Sequence, residues 1–129
     1  MITTARKVPT WIVHANGDPA PFRAAGVETI PCPVSNGRLD LAAALRVLGG
    51  QGLTRVYCEG GGTLAASLLR AALVDRLELY TAGAAIGAEG VPGLGAMGLA
   101  ALADAPRMAL RDVRALGGDV LSVWERGDV

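Results

Sequence analysis

Apolar and polar positions alternate in several short runs of this chain, and two longer stretches carry apolar residues at helical spacing. Thr10-Trp11-Ile12-Val13-His14 reads as a strand, stopped by the turn signal Asn16-Gly17-Asp18-Pro19. A helical turn is predicted over 21–25, then a short strand over 27–31. Pro31 and Pro33 cannot donate to a ladder, so this strand is expected at an edge. After Ser35-Asn36-Gly37, Asp40 is placed to cap a helix. Its Leu41, Ala44, Leu45 and Leu48 fall three or four apart and share one face, and Gly49-Gly50 should end it.

Arg55-Val56-Tyr57-Cys58 predicts the next strand, and 63–72 the next helix, with Leu64, Leu68, Leu69 and Leu73 turned inward. Leu77-Glu78-Leu79-Tyr80-Thr81-Ala82 alternates as a strand does. A glycine-rich loop follows over 83–95, its glycines allowing close backbone approach. Strands over 108–116 and 120–125 flank Gly117-Gly118, a two-residue hairpin signal. The order predicts an α/β fold: a mixed sheet, flanking helices and a C-terminal antiparallel hairpin, in a single domain over 1–129.

Composition narrows the function classes. The chain has 129 residues, 51% of them hydrophobic but only 4% aromatic. That suits small aliphatic packing of helices on a sheet and argues against a stacking platform for single-stranded nucleic acid. Lys plus Arg and Asp plus Glu number 12 each, so no basic footprint points to a polyanionic partner. No apolar run is long enough for a membrane helix, and no secretory leader follows Met1, so a cytoplasmic protein is expected. Cys32 and Cys58 lie far apart and His14 is the one histidine, so no metal site is expected. Both thiols are expected to be buried and free. His14 is expected to pack or to face solvent.

The chemistry concentrates at Val56-Tyr57-Cys58-Glu59-Gly60-Gly61-Gly62-Thr63-Leu64. Glycines at a helix start let an anion reach backbone N–H groups that have no intrahelical partner, where the helix dipole is positive. Thr63 can cap the helix or offer its hydroxyl to the same anion. The run is neither a Gly-x-Gly-x-x-Gly fingerprint nor a P-loop. On physics alone it suits a phosphate cradle or a tight turn that binds nothing. Glu59 would repel a phosphate, and is better aimed at N–H and O–H donors of a second ligand. No complete acid/base constellation accompanies it, so no residue is assigned a catalytic role.

Glu59-Gly60-Gly61-Gly62-Thr63-Leu64-Ala65 is followed by Leu68-Leu69, Leu73-Val74-Asp75-Arg76-Leu77 and Leu79-Tyr80-Thr81-Ala82. Then come Leu102-Ala103-Asp104-Ala105-Pro106-Arg107 and Val113-Arg114-Ala115-Leu116-Gly117-Gly118-Asp119-Val120-Leu121. In this order and spacing, the series resembles the C-terminal part of the reductase domain of the bifunctional riboflavin-biosynthesis deaminase/reductase. The resemblance covers 39–124 and extends back to Trp11. It implies a dihydrofolate-reductase-like fold and NADPH-dependent reduction of 5-amino-6-(5-phosphoribosylamino)uracil to its ribitylamino product. It further implies that Glu59 contacts this phosphorylated pyrimidine, while Gly61, Gly62, Thr63, Leu64, Ala65, Ala66 and Ser67 hold NADPH.

The chain departs from the family at Gly62, where members often carry Pro or another small residue, and at Gly83, where many carry Pro. Glycine at 62 should cost backbone entropy without altering the allowed geometry. The resemblance starts after the portion that supplies further cofactor contacts and the cations for the substrate phosphate. The chain therefore reads as a fragment, incomplete at its N-terminus, with partial or no activity alone and without the zinc-bearing deaminase domain. A sheet short of neighbours predicts a homo-oligomer. Two other readings fit the same residues: a non-catalytic α/β assembly module, or a dihydrofolate-reductase-like enzyme for a different substrate.

Overall fold

The computed structural model describes residues 2–127. They gather into two compact units, one running as far as Val56 and the other starting at Tyr57.

In the first unit, β1 (Trp11–His14) and β2 (Glu28–Pro31) pair in parallel, with Ile12 opposite Thr29 and Val13 opposite Ile30. The short helix α1 (Ala20–Ala24) makes the crossover. β3 (Val34–Ser35) and β4 (Arg38–Leu39) form a small hairpin, which feeds α2 (Leu41–Gly50). Asp40 caps α2 as its sequence position implies, its carboxylate accepting from the Ala43 N–H at 2.9 Å. The helix runs through Gly49 and Gly50 rather than stopping before them. It ends where Gly52 takes φ +92°. There the Gly52 N–H donates to Gly49 and the Leu53 N–H to Leu48, the two bonds of a Schellman close. Cys32, Ala43 and Ala44 form a small core, with Val13 and Leu39 packed against it.

The second unit holds α3 (Gly62–Arg70), β5 (Arg76–Ala82), β6 (Met108–Leu116) and β7 (Asp119–Arg126). The strands form an antiparallel sheet in the order β5-β7-β6. Parallel pairing is thus confined to β1 and β2, and the one mixed sheet expected is distributed over three smaller sheets among the described residues. The hairpin falls where Gly117-Gly118 predicted it. Arg111 is an extra residue between the Leu110–Trp124 and Asp112–Val123 pairs, a bulge with no plain sequence signal. Leu121 and Val123, on the central strand, are the most buried side chains, 2% and 1% exposed.

The expected strand at residues 55–58 is absent. Residues 54–60 make no backbone hydrogen bond among the described residues, and Val56 and Tyr57 are exposed. β-type residues form a strand only where a neighbouring ladder takes up their N–H and C=O groups. Cys58, expected to be a buried thiol, is exposed for the same reason, whereas Cys32 is buried.

Helix α3 ends on a strained residue. Its carbonyls at Leu68 and Leu69 accept from Leu73 and Ala72, which places Ala72 at φ +54°. A left-handed conformation costs an L-residue roughly 1–2 kcal/mol, partly offset by the greater freedom of glycine in the unfolded chain. Ala72→Gly is therefore expected to stabilise the protein by about 0.5–1 kcal/mol, read as a higher urea midpoint at unchanged m-value. Arg126 braces the same corner. Its guanidinium donates to the Ala72 carbonyl at 2.6 Å and pairs with Asp75.

Candidate functional site

The first turn of α3 is built from residues without obstructing side chains. Gly61 is the N-cap and offers no side-chain acceptor. The N–H groups of Leu64 and Ala65 both turn back to the Gly61 carbonyl, at 2.9 and 3.2 Å. The N–H groups of Gly62 and Thr63 have no acceptor among the described residues. Two aligned donors at the positive end of a helix dipole are what an anionic oxygen needs.

Thr63 lies inside the helix and does not cap it, because the helix begins one residue earlier than expected. Its side chain is exposed, and its hydroxyl makes no hydrogen bond among the described residues. Leu64 is 39% exposed rather than turned inward. The buried face runs through Ala66 and Leu69, three residues apart, and Leu64 sits about 200° round the helix from Ala66. Ala66 is 3% exposed, so its side chain packs inside the protein. The Ser67 hydroxyl is turned back on the helix, donating to the Thr63 carbonyl at 2.8 Å.

The glycine-rich loop closes on this turn. The Gly95 N–H donates to the Gly62 carbonyl at 2.9 Å. A Cβ on Gly62 would lie 2.6 Å from the Pro92 carbonyl oxygen and 3.0 Å from both the Gly93 oxygen and the Gly95 nitrogen. One on Gly95 would lie 3.2 Å from the Gly62 oxygen and the Thr63 Cα. Glycine at 62 is therefore required by backbone-to-backbone contact, which corrects the reading that it only costs entropy. The loop's Pro92-Gly93-Leu94-Gly95 was the sequence signal for this docking, but nothing local says what a loop docks against.

Glu59 is exposed and makes no hydrogen bond or ion pair among the described residues, so its carboxylate is available to a ligand. Tyr57 has Tyr80, Glu78 and Glu59 nearby. Desolvation, then the negative charge of these three groups, holds its phenol above the ordinary range. With Tyr57 69% exposed, the desolvation is local and has no bearing on stability.

In the first unit, a cavity of about 70 Å³ lies at the carboxyl end of β1, lined by Ile12, His14, Asn16, Asp18, Phe22 and Thr29 among others. His14 is half-buried here. Its Nε2 is buried without a partner, so the residue is neither simple packing nor free surface. No group of three or more potential metal ligands occurs among the described residues. No described helix is long and apolar enough to cross a membrane.

A parallel strand pair, a glycine-led helix and an antiparallel three-stranded sheet follow one another along the chain, an α/β make-up of the dihydrofolate-reductase-like class. Solved structures carry the same fold. Acinetobacter baumannii RibD superposes with a TM-score of 0.76 at 21% identity, over 91% of this chain and 31% of that one. A pyrimidine reductase-like protein of Corynebacterium diphtheriae superposes with a TM-score of 0.72 at 23% identity, over 92% of this chain and 50% of that one.

The chain belongs to the RibD C-terminal domain family, whose sequence model matches residues 2–122. It is similar to the riboflavin biosynthesis protein RibD of Escherichia coli, 35% identical over 111 residues, which are 86% of this chain and 30% of that protein. The protein of the same name from Actinobacillus pleuropneumoniae is 28% identical over 125 residues, 94% of this chain and 33% of the relative. The chain thus spans about a third of the length of these relatives.

Proposed function

We propose that the chain is the cofactor-binding part of an NADPH-dependent reductase that converts 5-amino-6-(5-phosphoribosylamino)uracil to its ribitylamino product in riboflavin biosynthesis. The observation that carries this reading is the pair of unsatisfied N–H groups on Gly62 and Thr63, held open by a glycine contact that no side chain could enter. Membership of the RibD C-terminal domain family supports the choice of ligand.

Gly61, Gly62 and Thr63 would receive the cofactor's phosphates through main-chain N–H groups, and the Thr63 hydroxyl adds a donor; Leu64, whose N–H is bonded to the Gly61 carbonyl, would serve through its exposed side chain. Ala65, Ala66 and Ser67 serve the cofactor through the helix they build, since Ala66 is buried and Ser67 is bonded to the helix backbone. NADPH supplies the hydride when bound; the protein supplies position and charge. Glu59 is kept for the pyrimidine, because a free carboxylate accepts from ring N–H and sugar O–H groups and repels phosphate. The unpaired thiols fit a reducing cytoplasmic compartment.

Glu59→Gln tests the substrate assignment by calorimetry. Loss of a charged hydrogen bond is expected to weaken binding of the phosphorylated pyrimidine by about 10–100-fold. NADPH affinity should stay within about two-fold, well below the tenfold that 1.4 kcal/mol represents. Unchanged pyrimidine binding by the variant would remove Glu59 from the site.

A further inference from the structure

We propose that Gly95 is a positioning residue for the cofactor turn, its N–H holding one end of the peptide unit whose other end, the Thr63 N–H, meets the phosphate. The role rests on the start of α3 being the phosphate site. The Gly62 carbonyl and the Thr63 N–H belong to a single planar unit, so neither turns without the other. The carbonyl accepts from the Gly95 N–H at 2.9 Å, and the Thr63 N–H has no acceptor among the described residues. One peptide unit thus stands between the glycine-rich loop and the anion. The bond is also the loop's one main-chain anchor. Residues 91–100 contain no helix or strand, and among the described residues they make no other backbone hydrogen bond. Gly95 is half-buried, whereas residues 91–94 are exposed.

Both partners of this bond have to be glycine. A Cβ on Gly95 would stand 3.2 Å from the Gly62 oxygen and the Thr63 Cα, and one on Gly62 would stand 3.0 Å from the Gly95 nitrogen. A segment held by one main-chain bond opens at low cost, so its docking follows the strength of that bond. Hydrogen bonds at the two ends of a peptide unit polarise each other. Donation into the Gly62 carbonyl makes the Thr63 N–H a stronger donor, and an anion on that N–H makes the carbonyl a stronger acceptor. The docked loop therefore both fixes the Thr63 N–H and strengthens it, while a phosphate at Thr63 tightens the loop. The coupling is reciprocal: docking raises cofactor affinity by the same factor as the cofactor raises docking.

The test is amide exchange of the unsubstituted full chain, followed residue by residue as NADPH is added. The Gly95 amide is expected to slow about five-fold or more, in step with Thr63. The Ala105 amide, which bonds to Leu102 in the same connection, should not change. Gly95→Ala keeps the N–H but blocks its approach, and is expected to weaken NADPH binding by about five-fold or more. In the free chain it should also move the Thr63 amide nitrogen resonance, which Gly93→Ala should leave in place. Slowing at Thr63 with Gly95 unchanged would overturn the proposal and leave the phosphate site standing. No slowing at either amide would overturn both. Parent-like NADPH affinity in a folded Gly95→Ala would likewise remove Gly95 from the role.

Discussion

Gly62→Ala is expected to weaken NADPH binding by about ten-fold or more, a loss of roughly 1.4 kcal/mol or greater. The added Cβ would stand 2.6 Å from the Pro92 carbonyl oxygen, a backbone atom that cannot swing aside. Either the Pro92–Gly95 stretch lifts away and breaks the 2.9 Å bond from Gly95 to Gly62, or the first turn of α3 shifts. Both outcomes move the Gly62 and Thr63 N–H groups that the account assigns to the cofactor phosphates. Overpacking of this kind also costs about 1–3 kcal/mol of stability. Gly93→Ala is the control, because a Cβ there meets nothing within 4 Å. It should leave both affinity and stability close to those of the parent. Equal NADPH affinity in Gly62→Ala and the parent would separate the glycine contact from the cofactor.

Leu121→Ala is expected to have the largest effect on stability, a loss of about 2–5 kcal/mol. Leu121 is 2% exposed on the central strand, with Tyr80 and Arg114 as its cross-strand neighbours. Truncation there leaves a cavity that a strand paired on both sides cannot relax to fill. Against a total stability of some 5–15 kcal/mol, this is a large share. Val120→Ala, one residue away but 43% exposed, should cost less than about 1 kcal/mol. Trp124 lies on the same strand, so urea unfolding followed by its fluorescence in a Trp11→Phe background reports on this sheet. A smaller shift for Leu121→Ala than for Val120→Ala would contradict the assignment of the sheet's buried face.

The elements that sequence reasoning placed well are those set by neighbours in the chain. Asp40 with its helical spacing located α2, and paired glycines between alternating runs located the β6–β7 hairpin. The errors share a different cause. Residues 55–58 have strand propensity, but a strand also needs a partner, and partners are set by long-range pairing. Cys58 was misjudged with that segment. Leu64 was turned inward because apolar residues were counted without knowing that Ala66 and Leu69 define the buried face. The glycine run was legible as an anion cradle from local chemistry. That Pro92–Gly95 docks on it, fixing why residue 62 has no side chain, depends on a contact across thirty residues of chain.

The central claim is that the start of α3 holds the phosphates of NADPH. Hydrogen exchange of the Gly61, Gly62, Thr63 and Leu64 amides, with and without NADPH, tests it most directly. The account predicts marked slowing at Gly62 and Thr63, whose N–H groups have no acceptor within the described chain. Unchanged exchange at all four amides in saturating NADPH would contradict it.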